Sequence, residues 1–269
     1  MTSATRIVHV TGAASGIGRC VAEMFAARGD DVVLFDRRSC DDSLDSVCRA
    51  RRAAAQRVIA QTVDVTDPAG VADALRAASE RLGRPTLVFH AAGIGGYSRR
   101  FAEFSPERFA ELVTVNLLGS RNVAAAALPL LDRGGTLALV ASLAGLVPAF
   151  GQAGYAAAKH GVVGLAGVLR VEYAPRGIRV CAVCPPEIDT AMARDDAATR
   201  PPETTAMKLF AGSLQLDEAC REMVDGVLRG RFLVIPGRRA RFAWALHKLL
   251  PRTVTNRIAD RMVARVQRA

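Results

Sequence analysis

Tyr155 and Lys159 stand four residues apart, so on a helix they share one face. A tyrosine hydroxyl ordinarily keeps its proton up to a pKa of about 10, and a neighbouring ammonium favours the phenolate and lowers that value. Such a phenol gives a proton to a carbonyl oxygen as hydride reaches the carbon, or takes one from an alcohol as hydride leaves. Ser142, thirteen residues before Tyr155, closes a predicted strand, where its hydroxyl can bond and orient the same oxygen. Asn116 is a polar residue in a predicted buried helix, placed where it could relay protons through water. Each has a bland alternative when taken alone: the tyrosine packs, and the asparagine satisfies a backbone gap.

A second constellation lies at the start of the chain. A strand-like run ends in Thr11-Gly12-Ala13-Ala14-Ser15-Gly16-Ile17-Gly18, and a helix begins inside it. Glycines there let the backbone turn tightly and approach a pyrophosphate, and the helix N-terminus presents free N–H groups to it. Gly12, Ser15, Gly16, Ile17 and Gly18 are therefore candidate phosphate contacts. Eighteen residues after Gly18 the next strand ends at Asp36, where a carboxylate can accept both hydroxyls of an adenosine ribose and repel a 2′-phosphate. This favours NAD. Arg37 and Arg38 follow at once and leave NADP as the alternative, and the bland reading of Asp36 is a strand-end cap.

The elements needed to position these residues are legible from periodicity. Strands over 7–10, 31–36, 58–63, 86–90, 136–141 and 179–184 alternate with helices over 17–28, 44–55, 67–82, 106–131 and 152–173. Short apolar strands between amphipathic helices predict a parallel sheet covered on both faces. Right-handed crossovers make it a doubly wound, Rossmann-type α/β fold. We expect one such domain over 1–237, carrying both constellations, and a basic amphipathic helical tail over 238–269. Residues 185–214 read as an irregular lid.

Composition excludes several classes. The chain has 269 residues, half of them apolar, so it can bury a large core. No apolar run is long enough to span a membrane, and the N-terminus lacks a secretory pattern. Six cysteines are too few for a disulfide scaffold. Cys181 and Cys184 read as buried thiols, because no further ligand pair has metal spacing. The net charge of +10 is local: residues 229–269 hold eleven basic side chains and one acid, while 1–228 are neutral. That asymmetry argues against a nucleic-acid binder. A cytoplasmic protein is expected.

Taken together these pieces resemble the short-chain dehydrogenase/reductase family. The resemblance rests on 11–18, Asp64-Val65, Ala91-Ala92-Gly93, Asn116, Ser142 and the Tyr-Ala-Ala-Ala-Lys run at 155–159. It implies that Asn116, Ser142, Tyr155 and Lys159 form a catalytic tetrad and that Lys159 also binds the nicotinamide ribose. It further implies that Asp64 and Val65 contact adenine, that Ala91 and Gly93 line the cofactor, and that Pro185, Ile188 and Thr190 face the carboxamide. A homodimer or homotetramer through the helices of Asn116 and Tyr155 is also implied. Three departures stand out: His90 and Ala91 replace two asparagines, Pro186 replaces a glycine, and a basic tail replaces the usual Gly-Gly ending. The stretch from Pro185 to Thr204 also resembles ketosphinganine reductases.

The tail reads as two helices meeting at Pro251. Val254, Ile258, Met262 and Val266 recur every fourth residue, beside Arg257, Arg261 and Arg265. Such a pair suits either peripheral contact with an anionic membrane or packing on its own protein. The expected function is NAD(P)-dependent interconversion of a secondary alcohol and a ketone on a hydrophobic small molecule. The rivals are a non-catalytic dinucleotide-binding regulator and a lipid-surface module.

Overall fold

The computed structural model describes residues 5–95 and 97–268; residues 1–4, 96 and 269 of the expected spans lie outside them. Seven parallel strands form one sheet in the order β3-β2-β1-β4-β5-β6-β9. They are β1 (Ile7–Thr11), β2 (Asp31–Asp36), β3 (Val58–Thr62), β4 (Leu87–His90), β5 (Thr136–Val140), β6 (Arg179–Val183) and β9 (Leu233–Val234). A parallel sheet needs crossovers, and the helices supply them on both faces. Alternate side chains of one strand feed opposite layers. Val33 and Phe35 of β2 pack with α3 (Pro68–Leu82), α5 (Gly119–Ala127) and α6 (Ala153–Tyr173). Val32 and Leu34 pack with α1 (Gly16–Ala27), α2 (Asp41–Ala50) and α9 (Leu216–Leu228). Helix starts follow local chemistry. Asp67 accepts from Ala69 N ahead of Pro68, and Ser105 accepts from Arg108 N ahead of Pro106, leaving proline where its missing N–H costs least.

The expected topology stands, with three local corrections. The helix expected over 106–131 is interrupted. α4 (Pro106–Val113) passes into a π-helical turn at Thr114–Leu118 and then α5, which ends at Ala127. The helix expected at 44–55 begins earlier, at Asp41, where Asp41 and Asp42 face the positive end of its dipole, and stops at Ala50. The segment 185–214 is ordered: β7 (Glu187–Ile188), α7 (Ala191–Ala197), α8 (Pro202–Ala211) and β8 (Ser213–Leu214), with β7 and β8 paired in parallel. Its mixed charge hid this order, because the charges pair internally. Glu187 Oε2 lies 2.5 Å from Arg200 Nη1 and 2.7 Å from Lys208 Nζ, and Lys208 also meets Asp196 at 2.7 Å.

The tail folds as α10 (Arg238–Leu249) and α11 (Arg252–Gln267). Arg239 donates to the carbonyls of Leu209 and Phe210 at the end of α8, and Arg241 pairs with Glu222 at 2.7 Å. Trp244 packs against the core. Ile258 and Met262 turn inward, beside α8. These two thus pack on the protein, while Val254 of the same expected stripe is exposed. Among the described residues no helix is long and apolar enough to cross a membrane.

His9 on β1 is fully buried against Phe35, and neither ring nitrogen has a partner. Burial pulls its pKa down to about 4 from 6.5. The folded protein thus keeps His9 neutral while the unfolded chain protonates it below 6.5. Stability is full above that pH and falls as the pH drops towards 4, by up to about 1.4 kcal/mol per pH unit. Urea unfolding of His9→Leu at pH 7.5 and pH 5 should give a smaller loss on acidification than the parent. Equal losses would show that His9 is already protonated or solvated in the fold.

Candidate active site

The carboxyl ends of β1, β4, β5 and β6 converge on one cleft, and the ammonium of Lys159 lies inside it. Lys159 is buried, and its Nζ donates to the carbonyl oxygen of Val140, the last residue of β5, at 2.9 Å. Burial pulls its pKa down to about 8. One helical turn earlier on α6, the Tyr155 ring has its centroid 5.6 Å from that Nζ. Burial pushes the phenol above its ordinary pKa, and a hydrogen bond with the Ser142 side chain pulls it back. Ser142 follows β5 and caps a short 3₁₀ turn, its Oγ accepting from Ala144 N at 3.2 Å. The phenol therefore keeps its proton, beside a hydroxyl that shares its hydrogen bonding and a cation that favours its ionised form.

Asn116 sits in the π turn and is fully buried. Its side chain clips the loop after β4 from both sides: Oδ1 accepts from Ile94 N at 3.1 Å and Nδ2 donates to Ile94 O at 2.9 Å. A Cβ added at Gly93 would lie 2.6 Å from Asn116 Oδ1 and 3.5 Å from Lys159 Nζ, so this loop runs between the two. His90 fills the position where the sequence departs from the family. Its ring spans Thr11 Oγ1 at 2.7 Å and Ser120 Oγ at 3.1 Å. Ser120 in turn donates to the Asn116 carbonyl at 2.6 Å. Burial first, and the Lys159 charge second, pull His90 down to about 3, so it bridges as a neutral ring. A two-sided hydrogen-bonding side chain here ties β1, β4 and the π turn together. Sequence reading marked His90 as a departure and missed this role.

The glycine-rich turn closes as its residue types require. Gly12 has φ +71°, and a Cβ on Gly18 would lie 2.2 Å from the Gly12 carbonyl oxygen, so neither position tolerates a side chain. The N-cap Ser15 makes no side-chain cap bond, leaving the first turn of α1 free to take an anion. Among the described residues, a Cβ added at Gly16 would have Thr190 Cγ2, of the residue that caps α7, at 3.8 Å. Asp36 accepts from Ala14 N and Arg38 N, each at 3.0 Å. Arg38 reaches over the turn, donating to Ser15 Oγ at 2.8 Å with Nε 3.7 Å from Asp36. Arg37 is exposed and acts at long range on Asp64. A hydrogen bond from Thr66 N, with the Thr66 hydroxyl and Arg37 adding to it, holds Asp64 below the usual carboxylate range against its partial burial. Val65 is buried, its carbonyl taken by Asn122 Nδ2 at 3.0 Å. Of the two arginines that follow Asp36, Arg38 reaches the glycine-rich turn and Arg37 does not.

A cavity of about 290 Å³ joins these parts. Ile17, Ala91, Gly93, Asn116, Ser142, Tyr155, Lys159, Pro185, Ile188 and Thr190 line it, as do apolar side chains that the sequence did not single out, among them Leu112, Met192, Met207 and Phe210. Gly12, Ser15, Gly16 and Gly18 do not line it but lie in the turn and helix start around Ile17, which does, while Asp36, Asp64 and Val65 stand at the ends of β2 and β3.

Residues 6–201 match the short chain dehydrogenase family. The chain belongs to that family. It is a dehydrogenase/reductase acting on CH–OH groups, and the resemblance to the family is borne out. It is 35% identical to a levodione reductase of Leifsonia aquatica over 200 residues, 74% of this chain and 75% of that one. It is 36% identical to a 2-(R)-hydroxypropyl-CoM dehydrogenase of Xanthobacter autotrophicus over 193 residues, 70% and 76% of the two chains. A short chain dehydrogenase from Mycobacterium paratuberculosis, solved bound to NAD, superposes with a TM-score of 0.76 at 25% identity, covering 87% of this chain and 96% of its own. None of these relatives is named as a ketosphinganine reductase.

Proposed function

We propose that this short-chain dehydrogenase interconverts a secondary alcohol and a ketone on an apolar small molecule, using NAD. The observation that carries the reading is the meeting, in one mostly apolar cavity, of a protonated phenol, its serine partner and a buried ammonium. The free first turn of α1, with Gly12 to Gly18, would hold the pyrophosphate. Asp36 would take the adenosine ribose, Asp64 and Val65 would border the adenine, and Lys159 would hold the ribose of the nicotinamide, with Pro185, Ile188 and Thr190 beside its carboxamide. The dinucleotide, when bound, supplies or removes the hydride. Tyr155 gives its proton to the ketone oxygen during reduction and takes one from the alcohol during oxidation. The Ser142 hydroxyl donates to the same oxygen and fixes its direction. The Lys159 ammonium offsets the charge that Tyr155 acquires. Asn116 is a positioning residue that holds the 93–94 loop against Lys159.

NAD is favoured over NADP by Asp36, whose carboxylate is fixed by two backbone N–H groups at the ribose end and would repel a 2′-phosphate. The relatives support the same reading, since one is an NAD complex and others carry reductase and dehydrogenase names. Six free cysteines suit a reducing, cytoplasmic compartment.

Exposed apolar side chains on the helix layer of Asn116 and Tyr155 support self-association there: Leu118 is 48% exposed, Val168 55% and Val171 67%. Sedimentation equilibrium should give a dimer or tetramer mass, and Val168→Glu with Val171→Glu should lower it. A monomer at micromolar concentration in the parent would contradict this use of the surface.

Tyr155→Phe keeps the ring and removes the proton. Turnover of a secondary-alcohol panel with NAD should fall by about 10² to 10⁴, while NAD affinity by calorimetry stays within a few-fold. Undiminished turnover would remove Tyr155 from the chemistry.

A further inference from the structure

The family match ends at residue 201, yet much of the cavity wall lies beyond it. α8 contributes Met207 and Phe210, α10 contributes Leu246, and α11 contributes Ile258, Ala259 and Met262. The α11 residues recur at helical spacing, so they form one stripe along the helix. None of the α11 side chains is fully buried, and Ile258, Ala259 and Met262 are half-buried. Arg257, Arg261 and Arg265 run beside that stripe, exposed to solvent.

The two tail helices are held unequally. α10 is tied down through Arg239 on the α8 carbonyls and Arg241 on Glu222 and the Ile235 carbonyl. α11 leans on α8, where Gln267 Nε2 meets Glu203 Oε1 at 3.3 Å. Its apolar stripe, with Thr255 and Asn256 next to it, has the cavity in front of it, so an apolar group inside the cavity would add to the packing of that stripe. Burying apolar area there contributes about 0.8 kcal/mol per methylene, or roughly fourfold in affinity per CH₂.

We propose that α11 is the specificity wall of this dehydrogenase: Ile258, Ala259 and Met262 take the apolar part of an elongated ketone or alcohol whose oxygen lies at Tyr155. The inference rests on the oxidoreductase reading for the position of the oxygen. It assigns the remainder of the substrate to a segment of the chain outside the family match. Such a wall selects a molecule with a hydrocarbon arm over a short one.

The test reads binding without turnover. NADH and an alcohol cannot react together, since neither accepts hydride, so the melting midpoint at saturating NADH can be titrated with 2-octanol and with 2-butanol. The parent should bind 2-octanol at least tenfold more tightly than 2-butanol. Ala259→Phe, which fills the wall, should weaken 2-octanol at least tenfold and leave 2-butanol within twofold. Met262→Gln keeps the side-chain length and should weaken 2-octanol at least threefold, which covers the case that Ala259→Phe does not fold. Equal affinity of the two alcohols in the parent, or unchanged 2-octanol affinity in both variants, overturns the proposal. Selective 2-octanol binding without turnover of 2-octanol by NAD would uphold the wall and sink the oxidoreductase reading instead.

Discussion

The hydrogen bond from the buried Lys159 ammonium to the Val140 carbonyl is the constraint on which the site depends. An ammonium taken out of water is costly unless it is hydrogen-bonded. Here the strand end supplies the acceptor, and the same bond fixes the cation beside Tyr155. The cost appears as a lysine pKa pulled down to about 8. The benefit is a charge in low dielectric, where it acts more strongly on the phenol than it would in water. Register in the sheet therefore matters to the chemistry: Val140 pairs with Val183, and Ala141 N donates to the Val183 carbonyl at 2.7 Å. A slip of β5 would carry the acceptor away from Lys159.

Around that bond the protein builds a dry polar frame. The π turn points Asn116 back at Ile94, and His90 joins the end of β1 to Ser120 beside it. π turns inside helices often mark functional positions, and this one lets a single side chain close two backbone bonds of a loop that would otherwise lie unsupported next to Lys159. His90 works only as a neutral ring, which its burial ensures. On the other side of the cavity, the Glu187–Arg200–Lys208–Asp196 cluster ties β7, α7 and α8 into one unit, and Asp196 reaches across to accept from Ser98 N at 2.9 Å. Glu187, Asp196 and Lys208 of this cluster line the cavity beside apolar side chains such as Met192 and Met207.

Much of this was legible before any coordinates. The strand–turn–helix placement of Gly12 to Gly18, the acid at the end of β2, and the Ser142, Tyr155 and Lys159 spacing follow from backbone periodicity, which is local. What was not legible depends on tertiary contact. Apolar periodicity runs smoothly through 106–131, so nothing local marks the π turn; it arises where Asn116 meets Ile94. The lid sequence reads as irregular because its salt bridges join residues far apart in the chain. Arg37 and Arg38 are indistinguishable by type, and only the turn after β2 decides that Arg38 meets Ser15. The stripe of Ile258 and Met262 is equally suited to lipid and to protein, and amphipathicity alone cannot choose between them.

The most direct test is the pH dependence of ketone reduction with NADH, compared between the parent and Lys159→Met. The ammonium is present below its pKa and lost above it. The account predicts kcat/KM that is level at lower pH and falls as the pH rises through about 8. It also predicts a Lys159→Met rate lower by at least about a hundredfold, without that fall near 8. The same profile and rate in both proteins would contradict it.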